Sequence, residues 1–144
     1  MDSDLFPETI AHIQFAREWA MPSPETFLIP PIGAMVRRYL HGVSVDPFAR
    51  NNRLDTHTND LDPATCAQHH MDAEAFCLFL AERNVACNVG LFDPPYSPRQ
   101  ISEVYARCGL ACGMKETQNG ALYRRVRDSL DRLILPGGVV LSFG

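Results

Sequence analysis

The residues of this 144-residue chain best suited to chemistry are Asp93, Pro94, Pro95 and Tyr96, which follow an apolar stretch in LFDPPYS (91–97). Proline fixes its own φ and restrains the residue before it, so the pair holds the Asp93 carboxylate and the Tyr96 ring at a nearly constant separation. Groups held in this way have little conformational entropy left to lose when a ligand arrives. The same run also suits a plain strand-ending turn, since acid–proline pairs start turns. The surroundings must decide between the two.

Three more acids occupy comparable places. The short β-branched run in GVSVDPFA (42–49) leads into Asp46, THTND (56–60) ends in Asp60, and HHM (69–71) stands just before Asp72. CNVGLFD (87–93) leads into Asp93, and VVLSF (139–143) reads as a fifth strand after a turn at LPGG (135–138). Between these runs lie helical patterns: IGAMVRRYL (32–40), MDAEAFCLFLAERN (71–84), SPRQISEVYARCG (97–109) and TQNGALYRRVRDSLDRL (117–133). Ser97 and Pro98 fit the cap and first position of the third. MPSPETFLIPP (21–31), rich in proline, reads as an extended connection, and residues 1–24 as an N-terminal helical extension. Strands alternating with helices predict an α/β fold with a parallel sheet covered on both faces. In such sheets ligands bind beyond the carboxyl ends of the strands, near the point where the strand order reverses. Four acids on one sheet edge are costly unless a polar ligand meets them.

The composition narrows the function classes. A chain of this length suits one domain with a real core, and 46% hydrophobic with 21% charged residues is ordinary globular usage. No apolar run approaches the roughly 18 residues a membrane span needs. The opening MDSDLFPETI lacks the features of a signal peptide, so the expected location is cytoplasmic. Five cysteines without CxxC spacing read as free or buried thiols, and Cys66, His69 and His70 lack the second cluster that would complete a metal site. The net charge of −4 argues against gripping nucleic acid by charge alone, yet residues 1–96 carry −7 and residues 97–144 carry +3. Arg99, Arg107, Lys115, Arg124, Arg125, Arg127 and Arg132 form that basic surplus, either as solvated helix faces or as a phosphate track.

The order DPFA (46–49), NDLDP (59–63), MDA (71–73), DPPY (93–96) resembles the amino-directed DNA methyltransferases that use S-adenosylmethionine, and most of all the adenine methylases of phages and mobile elements. The resemblance covers roughly residues 25–144. It implies a Rossmann-like doubly wound parallel sheet of the class I methyltransferase type, here ending after the fifth strand, so that residues 25–144 would be a C-terminally incomplete domain. It also implies methyl transfer to the exocyclic amino group of a flipped adenine in DNA. Carried over by position, Asp46, Pro47, Phe48 and Ala49 would face the methionine portion of the cofactor, and Asp60 would accept from the ribose hydroxyls. Asp72 and Ala73 would face the cofactor adenine, while Phe27 and Pro30 would close the pocket from the N-terminal side. Phe27 and Phe48 are equally compatible with plain core, and Asp60 and Asp72 with helix caps.

The chemistry explains the tetrad. The lone pair of an exocyclic amino group is delocalised into the base, so the nitrogen is a poor nucleophile. Two acceptors, the Asp93 carboxylate and the Pro94 carbonyl, would hold its two hydrogens and turn the lone pair towards the methyl group, while stabilising the positive charge that grows on nitrogen. The base must leave the duplex to be reached. Pro95 keeps the register and Tyr96 would stack on the base. His41, His57, His69 and His70 precede the tetrad and read as structural.

Two departures from the family pattern stand out. The glycines that usually follow DPF are replaced, and DPFARNN carries Arg50 and Asn51 in their place, so either the loop takes another path, with asparagine tolerating a left-handed turn, or cofactor affinity is weakened. On this resemblance the sequence would also stop short of the later strands that complete the base pocket in family members. Cytosine- or ribosomal-RNA guanine-amino methylation, and a non-catalytic relic of the same shell, remain open alternatives, whereas a glutamine-directed enzyme would carry asparagine where Asp93 stands.

Overall fold

The structure, a computed structural model, describes residues 18–95, 98–110 and 120–143. Four strands, β1 (Ser44–Asp46), β2 (His57–Thr58), β3 (Cys87–Phe92) and β4 (Ile134–Ser142), form one sheet in the order β2-β1-β3-β4. Every pairing is parallel. The helices are α1 (Pro30–Tyr39), α2 (Ala73–Glu82), α3 (Pro98–Arg107) and α4 (Gly120–Asp131). The architecture is an α/β fold of Rossmann-like kind, in which the strand order reverses between β1 and β3.

Burial on both faces explains why β3 reads as an apolar run broken only by the half-buried Asn88. One face of the sheet packs on α2 and α4, where Phe76, Leu80, Val126 and Leu130 meet Val45 and Phe92. The opposite face packs on α1, where Val36 meets Val89, Leu91, Leu141 and Phe143. Gly90 lets α4 and β4 pack closely on β3: a Cβ there would lie 3.1–3.3 Å from the Ile134 and Leu130 side chains, which would have to give by a few tenths of an ångström.

Three sequence expectations are corrected. HHM forms no third strand; His69 makes a single parallel bridge with Asn59, after which the chain turns into α2. LPGG does not precede the last strand but lies inside β4, where Cys87 pairs with Ile134 and Val89 with Val139, leaving a bulge that Gly137 enters at φ 81°. The proline-rich segment is not wholly extended: Thr26–Leu28 is a 3-10 turn, and Pro30 and Pro31 begin α1, where a missing N–H costs nothing. Of the expected helical extension over 1–24, residues 18–24 form no helix and 1–17 lie outside the described residues. No helix among the described residues is long and apolar enough to cross a membrane.

The 3-10 turn sits directly on α1 at Gly33, whose Cβ, if present, would overlap the Phe27 carbonyl oxygen. Gly33→Ala therefore inverts the usual rule. Helix propensity favours alanine by about 0.5–1 kcal/mol, but overpacking costs about 1–3 kcal/mol, so urea denaturation should show a net loss of stability. A more stable variant would mean that the turn lifts off α1 freely.

Candidate functional site

All four acids lie at the carboxyl edge of the sheet. Asp46 ends β1, Asp60 follows β2, Asp72 caps α2, and Asp93 follows β3 at the point where the strand order reverses. Parallel strands bring their ends to one side, so positions 47 residues apart in the chain converge there.

Asn59 fastens this edge together. Its backbone N–H donates to the Asp46 carbonyl at 3.0 Å, and its own carbonyl accepts from Ala49 at 2.8 Å. The fully buried side chain donates to the Pro47 carbonyl (3.1 Å) and the Met71 carbonyl (2.9 Å), and accepts from the Met71 N–H (3.0 Å). The loop after β1 and the lead into α2 are thus held against the end of β2.

Between these segments opens a cleft of about 260 Å³. Pro47, Phe48, Met71, Ala73, Ile101 and Val126 supply apolar wall, and Asp60, Asp72 and Asp93 supply polar positions. Pro95 also lines it, and its carbonyl accepts from the Tyr123 hydroxyl, tying the segment after β3 to α4. Tyr123 stands edge-on to both Phe48 and Phe92.

The remaining expected residues fall into different places. Asp46 does not line the cleft: it is wholly buried beneath it, accepting from the Phe48 N–H (3.0 Å) and from Asn52 Nδ2 (3.0 Å). Ala49 is buried and lines an adjoining groove with Phe27. Phe27 itself packs edge-on to Phe143 at 5.5 Å, so it belongs to the core as much as to the groove. Pro30, at the start of α1, lies apart from the cleft, on a surface groove with Trp19 and Met21. Pro94 is fully buried and lines a second adjoining groove. Tyr96 lies outside the described residues.

Asp72 is a helix cap, its Oδ1 accepting from the N–H groups of Glu74 (3.0 Å) and Ala75 (3.1 Å). The side chain remains exposed at the cleft. Asp60 accepts from Arg50 N–H (2.9 Å) and Asp62 N–H (2.9 Å), one on each oxygen. A carboxylate has about four acceptor positions, so both oxygens can still receive hydroxyls from a ligand.

Burial dominates the electrostatics. Desolvation raises the Asp46 carboxyl well above its ordinary range, and the nearby Asp55 carboxylate raises it further. Asn52 Nδ2 bridges these two acids, at 3.0 Å from Asp46 and 2.7 Å from Asp55. Burial also raises Asp60 and Asp93. At Asp93 the Thr26 hydroxyl and the Arg50 charge partly offset that burial.

Sequence reasoning missed Asn59, Tyr123 and the clamp at Asn52. Of the two readings of the loop after DPF, the other path is the one taken, but Arg50 and not an asparagine occupies its left-handed position, at φ 50°. The loop replaces glycine flexibility with internal hydrogen bonds: the N–H groups of Phe48, Ala49 and Arg50 go to Asp46, Asn59 and Asp60. These three amides are thus engaged within the protein, unlike the free amides of a phosphate-binding loop.

Two neighbouring features bear on the expectations. His69 packs its ring against Phe76 and Phe79, and no group of three metal-ligating side chains is assembled among the described residues. On α3 and α4, Arg99 pairs with Glu103 and Arg125 with Glu74, both exposed to solvent. Comparisons with family models, with curated proteins and with solved structures return no match for this chain.

Two measurements check the site. Asn59→Ala strands two carbonyls and one N–H, at about 1–3 kcal/mol for each that stays buried without a partner; urea denaturation should lose at least that of one group. Near-unchanged stability would show that the edge holds without Asn59. The second concerns pH. Unfolded aspartates titrate near pH 4, and the folded values of Asp46, Asp55, Asp60 and Asp93 lie higher. The folded state then binds more protons across that interval, so these groups make stability fall as pH rises through it. Asp55→Asn removes the charge facing Asp46 and should make the fall shallower; an equal slope would exclude their coupling as its source.

Proposed function

We propose that this chain transfers a methyl group from S-adenosylmethionine to the exocyclic amino group of adenine in DNA. The observation that carries the reading is the convergence on one cleft of Pro47 and Phe48 after β1, Asp60 after β2, the Asp72–Ala73 pair at α2, and Asp93 after β3. Those are the segments that match the family's motifs, and they meet where a parallel sheet places its ligands.

The residues fit this cofactor chemically. Asp60 keeps acceptor positions for ribose hydroxyls, Asp72 offers its exposed carboxylate beside Ala73, and the apolar wall suits a nucleoside ring. The engaged loop amides at 48–50 favour a nucleoside without phosphates over a dinucleotide. The cofactor, when bound, supplies an electrophilic methyl group. Asp93 and the Pro94 carbonyl would accept the two amino hydrogens of the base, directing its lone pair, and Tyr96 would stack on the ring. Asp93 does this work as a carboxylate, and the Thr26 hydroxyl and Arg50 charge favour that form against burial.

Titration calorimetry with S-adenosylhomocysteine is the first test. Asp60→Ala removes an acceptor whose bonds to a ligand are worth about 1.5–3 kcal/mol, so affinity should fall by about 10- to 150-fold. Transfer of labelled methyl to DNA is the second: Asp93→Ala should abolish it while leaving cofactor affinity within a few fold. Methylation of RNA with DNA adenine untouched would overturn the substrate assignment. Absence of S-adenosylhomocysteine binding by the unaltered chain would overturn the whole reading.

A further inference from the structure

Glu25, Arg50 and Asp93 are common to the main cleft and both grooves that adjoin it, so they stand at their junction. Arg50 is the cation of the three. Its backbone is pinned in the left-handed region by the bond to Asp60, a conformation an arginine seldom adopts without cause. One guanidinium nitrogen, Nη1, donates to the Pro24 carbonyl. No carboxylate among the described residues lies within ion-pair distance of it, although Asp60 and Asp93 feel its charge from farther away. The guanidinium of this partly buried residue has five donors, and beside its exposed bond to Pro24 most of these remain for a ligand.

The anion such a cation accepts is constrained by its surroundings. Glu25, Asp60, Asp62, Asp72 and Asp93 all line the main cleft, and a doubly charged phosphate would be repelled by them. A single carboxylate carried beside an ammonium group suits the place better, because the ammonium meets Glu25 while the planar guanidinium matches the carboxylate. We propose that Arg50 binds the carboxylate of an α-amino-acid group attached to the nucleoside, so that the cleft selects amino-acid-bearing nucleosides over plain ones. This rests on the cofactor reading above and adds to it the residue that recognises the amino-acid end.

The test uses two ligands that share adenosine and sulfur, S-adenosylhomocysteine and 5′-methylthioadenosine, of which the second lacks the amino-acid group. Calorimetry on the full chain should find the first bound at least about tenfold more tightly, the scale of a hydrogen-bonded charge pair. Arg50→Asn, which tolerates the left-handed turn, should erase that preference and leave methylthioadenosine affinity within about threefold. Arg50→Lys should keep part of the preference, since the charge stays while the planar fork is lost. An unaltered preference in Arg50→Asn overturns this inference alone, and an equal loss for both ligands makes Arg50 a loop support instead. Binding of neither ligand by the unaltered chain overturns the cofactor reading and this inference together.

Discussion

The buried carboxamide of Asn59 is the constraint on which the functional edge depends. A parallel sheet ends abruptly at its carboxyl side, and the backbone groups of the departing loops must find partners without the ladder. Asn59 answers this with two donors and one acceptor on a single rigid plane, serving Pro47 and Met71. An aspartate could not donate, and an alanine could do neither. The neighbours so fixed are the ones that form the cleft wall: Pro47–Phe48 on one side, Met71–Asp72 on the other.

The electrostatic consequence is a sheet edge dense in buried acid. Asp46 and Asp55 share one amide donor from Asn52, and one oxygen of Asp55 is buried without a hydrogen-bond partner. A fold selected for stability alone would replace such a pair with apolar groups. Asp46 instead accepts the N–H of Phe48 and sets the turn that brings Phe48 to the cleft. The loop is therefore rigid through hydrogen bonds, where a glycine-rich loop would be permissive, and this rigidity decides which ligands its backbone can meet.

The two-faced core makes that edge precise enough to matter. Helices α2 and α4 lock one face of β1 and β3, and α1 locks the other. Tyr123 of α4 reaches across to the Pro95 carbonyl and stands against Phe48 and Phe92, so packing and site geometry share residues. Disturbance of the helix layer would thus be felt both in the sheet and at the segment after β3.

Much of the architecture was legible in the chain. The alternation of apolar runs with helical patterns foretold the parallel sheet, because burial on both faces leaves β3 almost wholly apolar, and the acids after each run foretold the polar edge. The first-turn prolines of α1 were legible by the same local logic, had their missing N–H been read as a helix start. Other features depended on contacts between distant positions. Nothing in THTND singles out Asn59 from Asp60, since its role arises only when residues 47 and 71 arrive beside it. Nor does sequence separate Asp46, sealed under Asn52, from Asp60 and Asp93, open to the cleft. HHM has strand character but becomes one bridge because the Asn59 clamp and the Asp72 cap turn the chain into α2. Local preferences set the elements, while the burial and hydrogen-bond partner of each polar group were decided by tertiary packing, because both are properties of neighbours the chain brings from far away.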